Sequence, residues 1–162
     1  MKRNTTIALA LCLAMLGTGI EARAECQHVR GTDVETIIPA PNDPFGRTLG
    51  IVNGVLNGSS TAVLTSLSPD GLNATSIDVF VTNGGDILTA TGAVTLAPVP
   101  GSSSAFTENA TLTITGGSGK YTGATGTITL VGKAVFDSSG GGTFDVIYQG
   151  SVCGSNIKAE GN

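Results

Sequence analysis

The stretch Ile114-Thr115-Gly116-Gly117-Ser118-Gly119-Lys120-Tyr121-Thr122-Gly123-Ala124-Thr125-Gly126-Thr127-Ile128-Thr129-Leu130 decides the fold. Five glycines fall within eleven residues, from Gly116 to Gly126, between two runs in which Thr alternates with aliphatic residues. Glycine takes positive φ at no steric cost, so the run makes a tight, irregular turn between two strands. A phosphate-binding loop is the competing reading of a glycine run followed by a lysine. The GxxxxGK[ST] pattern needs glycine at position 114 and a hydroxyl residue at 121, where this chain has Ile114 and Tyr121. The run also opens a strand, whereas a phosphate loop opens a helix.

Outward from this turn, alternation continues in both directions. Ala110, Leu112 and Ile114 oppose Asn109, Thr111 and Thr113; Ile128, Leu130, Gly132, Ala134 and Phe136 oppose Thr127, Thr129 and Lys133. Phe144, Val146, Tyr148, Gly150 and Val152 oppose Asp145, Gln149 and Ser151, and Leu88, Ala90, Gly92, Val94 and Leu96 oppose Thr89, Thr91 and Thr95. Ile77, Val79 and Val81 share a face opposite Ser76, Asp78 and Thr82. Period two with β-branched enrichment is the signal of a half-buried strand. Asp33–Ile38, Thr48–Leu56 and Thr61–Leu67 complete a predicted set of eight. Turn residues separate them: Pro39 to Pro44, Asn57-Gly58, Pro69-Asp70-Gly71, Asn83 to Asp86, Pro98 to Ser104 and Ser138 to Gly142. Short connections favour antiparallel neighbours, and eight meandering strands with an apolar inner face close into an up-and-down barrel. A β-sandwich shares this pattern. An outer-membrane barrel is disfavoured by the absence of Trp and by the ending Gly161-Asn162.

The start of the chain reads as an export signal, so the protein is expected outside the cytoplasm. Lys2 and Arg3 precede an apolar run, Ile7 to Leu16, too short to span a bilayer, and Ala22-Arg23-Ala24 is an A-x-A cleavage signal. The expected organisation is a signal peptide over 1–24, one domain over 25–153 and a tail over 154–162, in a secreted or periplasmic protein with no membrane insertion after cleavage. Lys2, Arg3, Arg23 and Glu21 leave with the signal, which takes the net charge from −4 to −6. Such acidity argues against nucleic acid as a partner. Cys12 leaves too. Cys26 and Cys153 remain, and an even pair in an exported chain reads as a disulfide. No metal or other cofactor is expected, since there is no C-x-x-C and His28 is the single histidine.

From about Asp86 to Cys153 the chain resembles the allene oxide cyclase barrel-like family, whose barrel is shared with plant dirigent proteins, and Thr48 to Leu67 resembles exported bacterial members more loosely. Glu108 to Gly126 is similar to the family's strand followed by G-G-x-G-x-[FY]-x-G-A-x-G, here Gly116, Gly117, Gly119, Tyr121, Gly123 and Gly126. Thr127 to Leu130 and Gly142 to Gly150 are similar to the strands that follow. Gly116, Gly117 and Gly119 would turn the chain, Tyr121 would pin the turn by packing, and Gly123 and Gly126 would let backbones approach at a barrel corner. The resemblance implies an eight-stranded calyx with an apolar lumen. Trimers are common in the family, so it also points to a homotrimer. It transfers no activity, because the plant cyclases draw their catalytic groups mostly from an N-terminal half that this chain does not match.

The residues offer few catalytic parts. A Ser-His-Asp set would have to be built around His28, beside Cys26. Glu35 lies on the first expected strand. Glu108 enters the signature strand, either as a solvated strand-end charge or as a carboxylate at the lumen mouth whose pKa is raised by apolar surroundings and which acts as acid or base. Asp78 and Asp145 fall on polar faces and are expected to meet solvent. Three functions are compatible with this reading: a barrel binding a small apolar ligand, a cyclase-like or dirigent-like enzyme steering a reactive intermediate, and a structural envelope or surface component. The first is favoured, because the chain supplies a container and no convincing catalytic set.

Overall fold

The computed structural model describes residues 24–40 and 43–158. The expected signal peptide and the end of the tail lie outside the described residues. Eight strands run in order: β1 Glu25–Ala40, β2 Asp43–Gly54, β3 Gly58–Leu67, β4 Asn73–Thr82, β5 Ile87–Pro98, β6 Ala105–Ser118, β7 Thr125–Phe136 and β8 Gly142–Gly154. Each pairs antiparallel with its sequence neighbours, and β8 returns to β1, closing the barrel. Closure pairs every strand on both sides and leaves no free edge. Among the described residues no helix is long and apolar enough to cross a membrane.

The seam is a long ladder from Glu25↔Gly154 to Ile37↔Gly142. Cys26 and Cys153 are directly paired across it and form a disulfide, 127 residues apart in sequence. The first strand is far longer than Asp33–Ile38, because β8 supplies partners all the way back to Glu25.

The two ends of the barrel differ. The end carrying the β2–β3, β4–β5 and β6–β7 connections is packed shut. Val29, Leu56, Leu88, Ile128, Val152 and Ile157 are buried there or just within, around Tyr121 and Tyr148. The Tyr148 hydroxyl accepts a hydrogen bond from Leu56 N at 2.9 Å and donates to the Asn53 carbonyl at 3.0 Å, tying β8 to the β2–β3 turn. Glycine makes this possible: a Cβ at Gly31 would stand 2.6 Å from the Tyr148 hydroxyl.

The glycine run belongs to this closed end. Gly119–Tyr121 form one turn of 3₁₀ helix, and the Tyr121 side chain is fully buried. Lys120 N donates to Asp86 Oδ1 at 3.1 Å, so the turn is pinned to the β4–β5 connection. At Gly126 the backbone of Ser151 approaches so closely that a Cβ would lie 3.0 Å from its carbonyl carbon, as a barrel corner requires. Gly123 works differently from expectation. A Cβ there would meet nothing within 4 Å, and glycine is needed for the φ of +67°.

Inner faces of β5, β6, β7 and β8 are those read from the alternation: Leu88, Ala90, Leu112, Ile114, Ile128, Ala134, Val146 and Val152 are all buried. The fourth strand is reversed. Ser76, Asp78 and Phe80 turn inward, whereas Ile77 is 49% exposed and Val81 faces out. The cause is the β4–β5 hairpin. Its turn is closed by Thr82 N to Asp86 O at 2.9 Å and Gly85 N to Thr82 O at 2.8 Å, which pairs Phe80 with Leu88. Directly paired residues share a face, so an inward Leu88 forces Phe80 inward, and period two then carries Asp78 and Ser76 with it.

Candidate functional site

Above the packed end, the reversal of β4 places a carboxylate where an apolar residue was expected. Asp78 joins Asp33 and Glu35 of β1 and Glu108 of β6 around one small interior space, with Thr48 and Ser76 as polar lining and Ser60 bonded to Asp33. Asp33 is 1% exposed and Glu108 7%. Asp145, in contrast, is exposed as expected.

The hydroxyls partly satisfy the carboxyls. Ser60 Oγ donates to Asp33 Oδ1 at 2.9 Å, and Ser76 Oγ donates to Asp78 Oδ2 at 2.7 Å. Thr48 Oγ1 accepts from Ala62 N at 2.9 Å, which fixes its rotamer beside Glu35. Two oxygens are left over: Asp33 Oδ2 and Glu108 Oε2 are buried with no hydrogen-bond partner among the described residues. Two glycines make the room. A Cβ at Gly50 would lie 2.6 Å from Glu35 Cγ and 2.7 Å from Asp33 Oδ1, and one at Gly92 would lie 2.8 Å from Asp78 Oδ2.

Burial makes these groups hold their protons. Loss of hydration raises Glu108 to about 8, and the negative charges of Glu35, Asp78 and Asp33 add to the rise. Asp33 rises to about 7, chiefly through burial and then through Glu35, against the bond from Ser60. Asp78 rises to about 6 for the same main reason, opposed by Ser76. Glu35 is also raised by burial, while Thr48 and Ser60 work against it. Every charged influence on the four is another carboxylate. Coupled groups of this kind share their protons, and the titration belongs to the set.

Toward the end bearing the β3–β4, β5–β6 and β7–β8 connections, the interior opens into a cavity of about 240 Å3. Its walls are mainly apolar, from Ile37, Leu64, Val94 and Leu96 with Phe136 and Phe144 on the far side, and Arg47 and Thr48 also line it. The two rings meet edge-to-face, centroids 5.9 Å apart, and Phe106 packs on Phe136 in the same way at 5.5 Å. Phe144, Leu64, Val94 and Thr48 line both this cavity and the acidic space beneath it, so the two adjoin. The lumen is therefore graded from apolar mouth to acidic middle to packed floor.

Of the residues singled out from sequence, Glu35 and Glu108 come together here. Cys26, Cys153 and the glycine run lie at the other end. Nothing in the sequence pattern marks Asp33, and the alternation in β4 puts Asp78 on the outer face, where the structure turns it inward. Pairing β4 with β5 through the Asn83–Asp86 turn is the sequence signal that identifies both Asp78 and Ser76 as interior. Among the described residues no group of His, Cys, Asp and Glu has an arrangement able to hold a metal ion.

No protein-family model matches the chain, and no curated protein matches it. Among solved structures, that of a pterocarpan synthase dirigent protein aligns over 92% of this chain and 98% of its own length, with 14% identity and a TM-score of 0.33. Nothing is carried over from a likeness at that level, and the barrel stands on its own strand pairing.

Proposed function

We propose that this protein is an exported container of the allene oxide cyclase-like type that binds a small, mostly apolar molecule in its lumen. The observation that carries the reading is the apolar cavity of about 240 Å3 at one end of an otherwise packed barrel. Concave apolar pockets with a few convergent polar groups are the usual form of small-molecule sites. Native mass spectrometry against a panel of short-chain alcohols, amines and carboxylic acids and aromatic phenols tests it. Binding is expected for the wild type and is expected to vanish in Ala74→Phe, which fills the mouth from β4. A wild type that takes none of the panel overturns the container reading.

A second reading is favoured by one observation. Burial raises the pKa of Glu108 to about 8, and Glu108 lines an interior space that adjoins the cavity. A buried carboxylic acid of this kind is suited to act as a general acid on a reactive intermediate, as a cyclase-like or dirigent-like enzyme would require. Under that reading Glu108→Gln and Glu35→Gln lose turnover; full turnover in both removes these candidates.

A homotrimer remains part of the proposal. Outward-facing Val34 and Ile51 are paired across β1 and β2, and Ile147 and Val131 across β8 and β7, all of them substantially exposed. Sedimentation velocity of the wild type against Ile51→Asp checks it, a monomeric wild type being the contrary result.

A further inference from the structure

We infer that the lumen is built for an amphipathic organic cation, its protonated amine seated among Asp33, Asp78 and Glu108 and its apolar body in the cavity toward the mouth. This rests on the container reading and adds the chemical class of the polar end. Three observations carry it. The first is the pair of orphaned oxygens, Asp33 Oδ2 and Glu108 Oε2, on two residues more than nine-tenths buried that line one space. Buried polar groups in native proteins are almost always bonded, so two unmet carboxyl oxygens on residues that line the same space point to a polar partner that enters it. The second is charge. Glu35 and Asp33 of β1, Asp78 of β4 and Glu108 of β6 act on one another, and Tyr148 of β8 lies near Asp33 on the floor side. The side chains that β2, β3, β5 and β7 turn into the space, among them Thr48, Ala62, Val94 and Leu130, are uncharged. Arg47 borders the mouth cavity and is not among the charges acting on the four carboxyls.

The third observation is the apolar antechamber. A bare metal ion has no use for it, and no metal-binding set is present among the described residues. A neutral hydroxyl brings one donor together with acceptors that the carboxylates would repel. An ammonium brings three donors and no acceptor, and its charge offsets the mutual repulsion of the cluster. Binding requires the carboxyls to give up protons that burial makes them hold, so the complex forms with proton release. Affinity for the amine then rises from pH 5 to pH 8 as the cluster ionises.

The test compares hexylamine, hexanol and hexanoate, equal in length, by isothermal titration calorimetry on the whole exported chain. At pH 8 hexylamine is expected to bind at least about ten-fold more tightly than hexanol, with hexanoate weakest. Its affinity should fall at least about ten-fold on going to pH 5. The measured heat should vary with the ionisation enthalpy of the buffer, which reports proton release. Asp78→Asn and Glu108→Gln should bring the amine-to-alcohol affinity ratio toward one, with folding checked by circular dichroism. Hexanol binding as tightly as hexylamine, or an amine affinity constant from pH 5 to pH 8, overturns the inference and leaves the container reading standing. Failure of all three ligands, together with the whole panel above, overturns both.

Discussion

Asp33→Asn should change from neutral or destabilising in acid to stabilising at alkaline pH. Asp33 has its proton affinity raised from the ordinary 3.8 to about 7 in the folded barrel. Below pH 3.8 both folded and unfolded chains hold the proton, and Asp33 costs nothing. Between 3.8 and about 7 the unfolded chain releases the proton while the folded chain keeps it, so stability falls as pH rises. Above about 7 the full penalty is present. At about 1.4 kcal/mol for each tenfold change in proton affinity, it amounts to about 4 kcal/mol. Asparagine removes the charge but presents an amide to Ser60 and its neighbours, at a cost of about 1–3 kcal/mol for imperfect bonding. At pH 4.5 the variant should therefore be equal to or less stable than the wild type. By pH 8 it should be more stable, by about 1–3 kcal/mol. The two curves cross in between. Asp70 and Asp137 do not confuse this window. Hydrogen bonds, first from Ser68 and from Ser139 respectively, lower their pKa, and the stability they contribute is lost only as pH falls into the acid range. Urea denaturation followed by far-ultraviolet circular dichroism measures the difference, since the chain has no Trp to report by fluorescence. A difference between variant and wild type that stays constant from pH 4.5 to pH 8 refutes the reasoning, for it would mean that Asp33 is not held in its neutral form by burial.

Gly50→Ala should destabilise the barrel by about 1–3 kcal/mol in the same assay, as overpacking does, because its methyl would stand 2.7 Å from Asp33 Oδ1; a neutral result would mean that the acidic layer is loosely packed. Replacing Cys26 and Cys153 together by serine frees a loop of 127 residues, and loop-closure entropy sets the loss at up to about 5 kcal/mol. No change in the denaturation midpoint between oxidised wild type and the double variant would show that the β1–β8 ladder alone fixes the seam. Tyr148→Phe leaves Leu56 N without its acceptor at the packed end, at a cost of about 1–3 kcal/mol, measurable by denaturation and by faster amide exchange at Leu56.

Much of this barrel could be read from its residues because the determinants are local. Alternation over β5 to β8 assigns the inner face wherever one side is plainly aliphatic and the other plainly Thr and Asp, and those faces are the ones observed. The glycine run announces a strand connection, since only glycine suits the backbone at Gly119 and Gly123, and Cys26 and Cys153, read as a pair, are the two that form the disulfide. In β4 the local signal failed. Phe80 stands on the same face as Ser76 and Asp78, so both faces carry apolar residues, and the larger aliphatic count lies on the outside.

The sequence by itself therefore determined the strands, their antiparallel order, the turn chemistry and the stapled ends. Only the tertiary structure decided that the lumen is acidic. Asp33, Asp78 and Glu108 belong to strands β1, β4 and β6, which are not neighbours in the barrel. They meet because ring closure turns each strand's inner face toward a common axis, and because the register of one hairpin sets which face of β4 is inner. Neither condition is local to any of the three residues, and together they bring the carboxylates into one buried space and raise their pKa values.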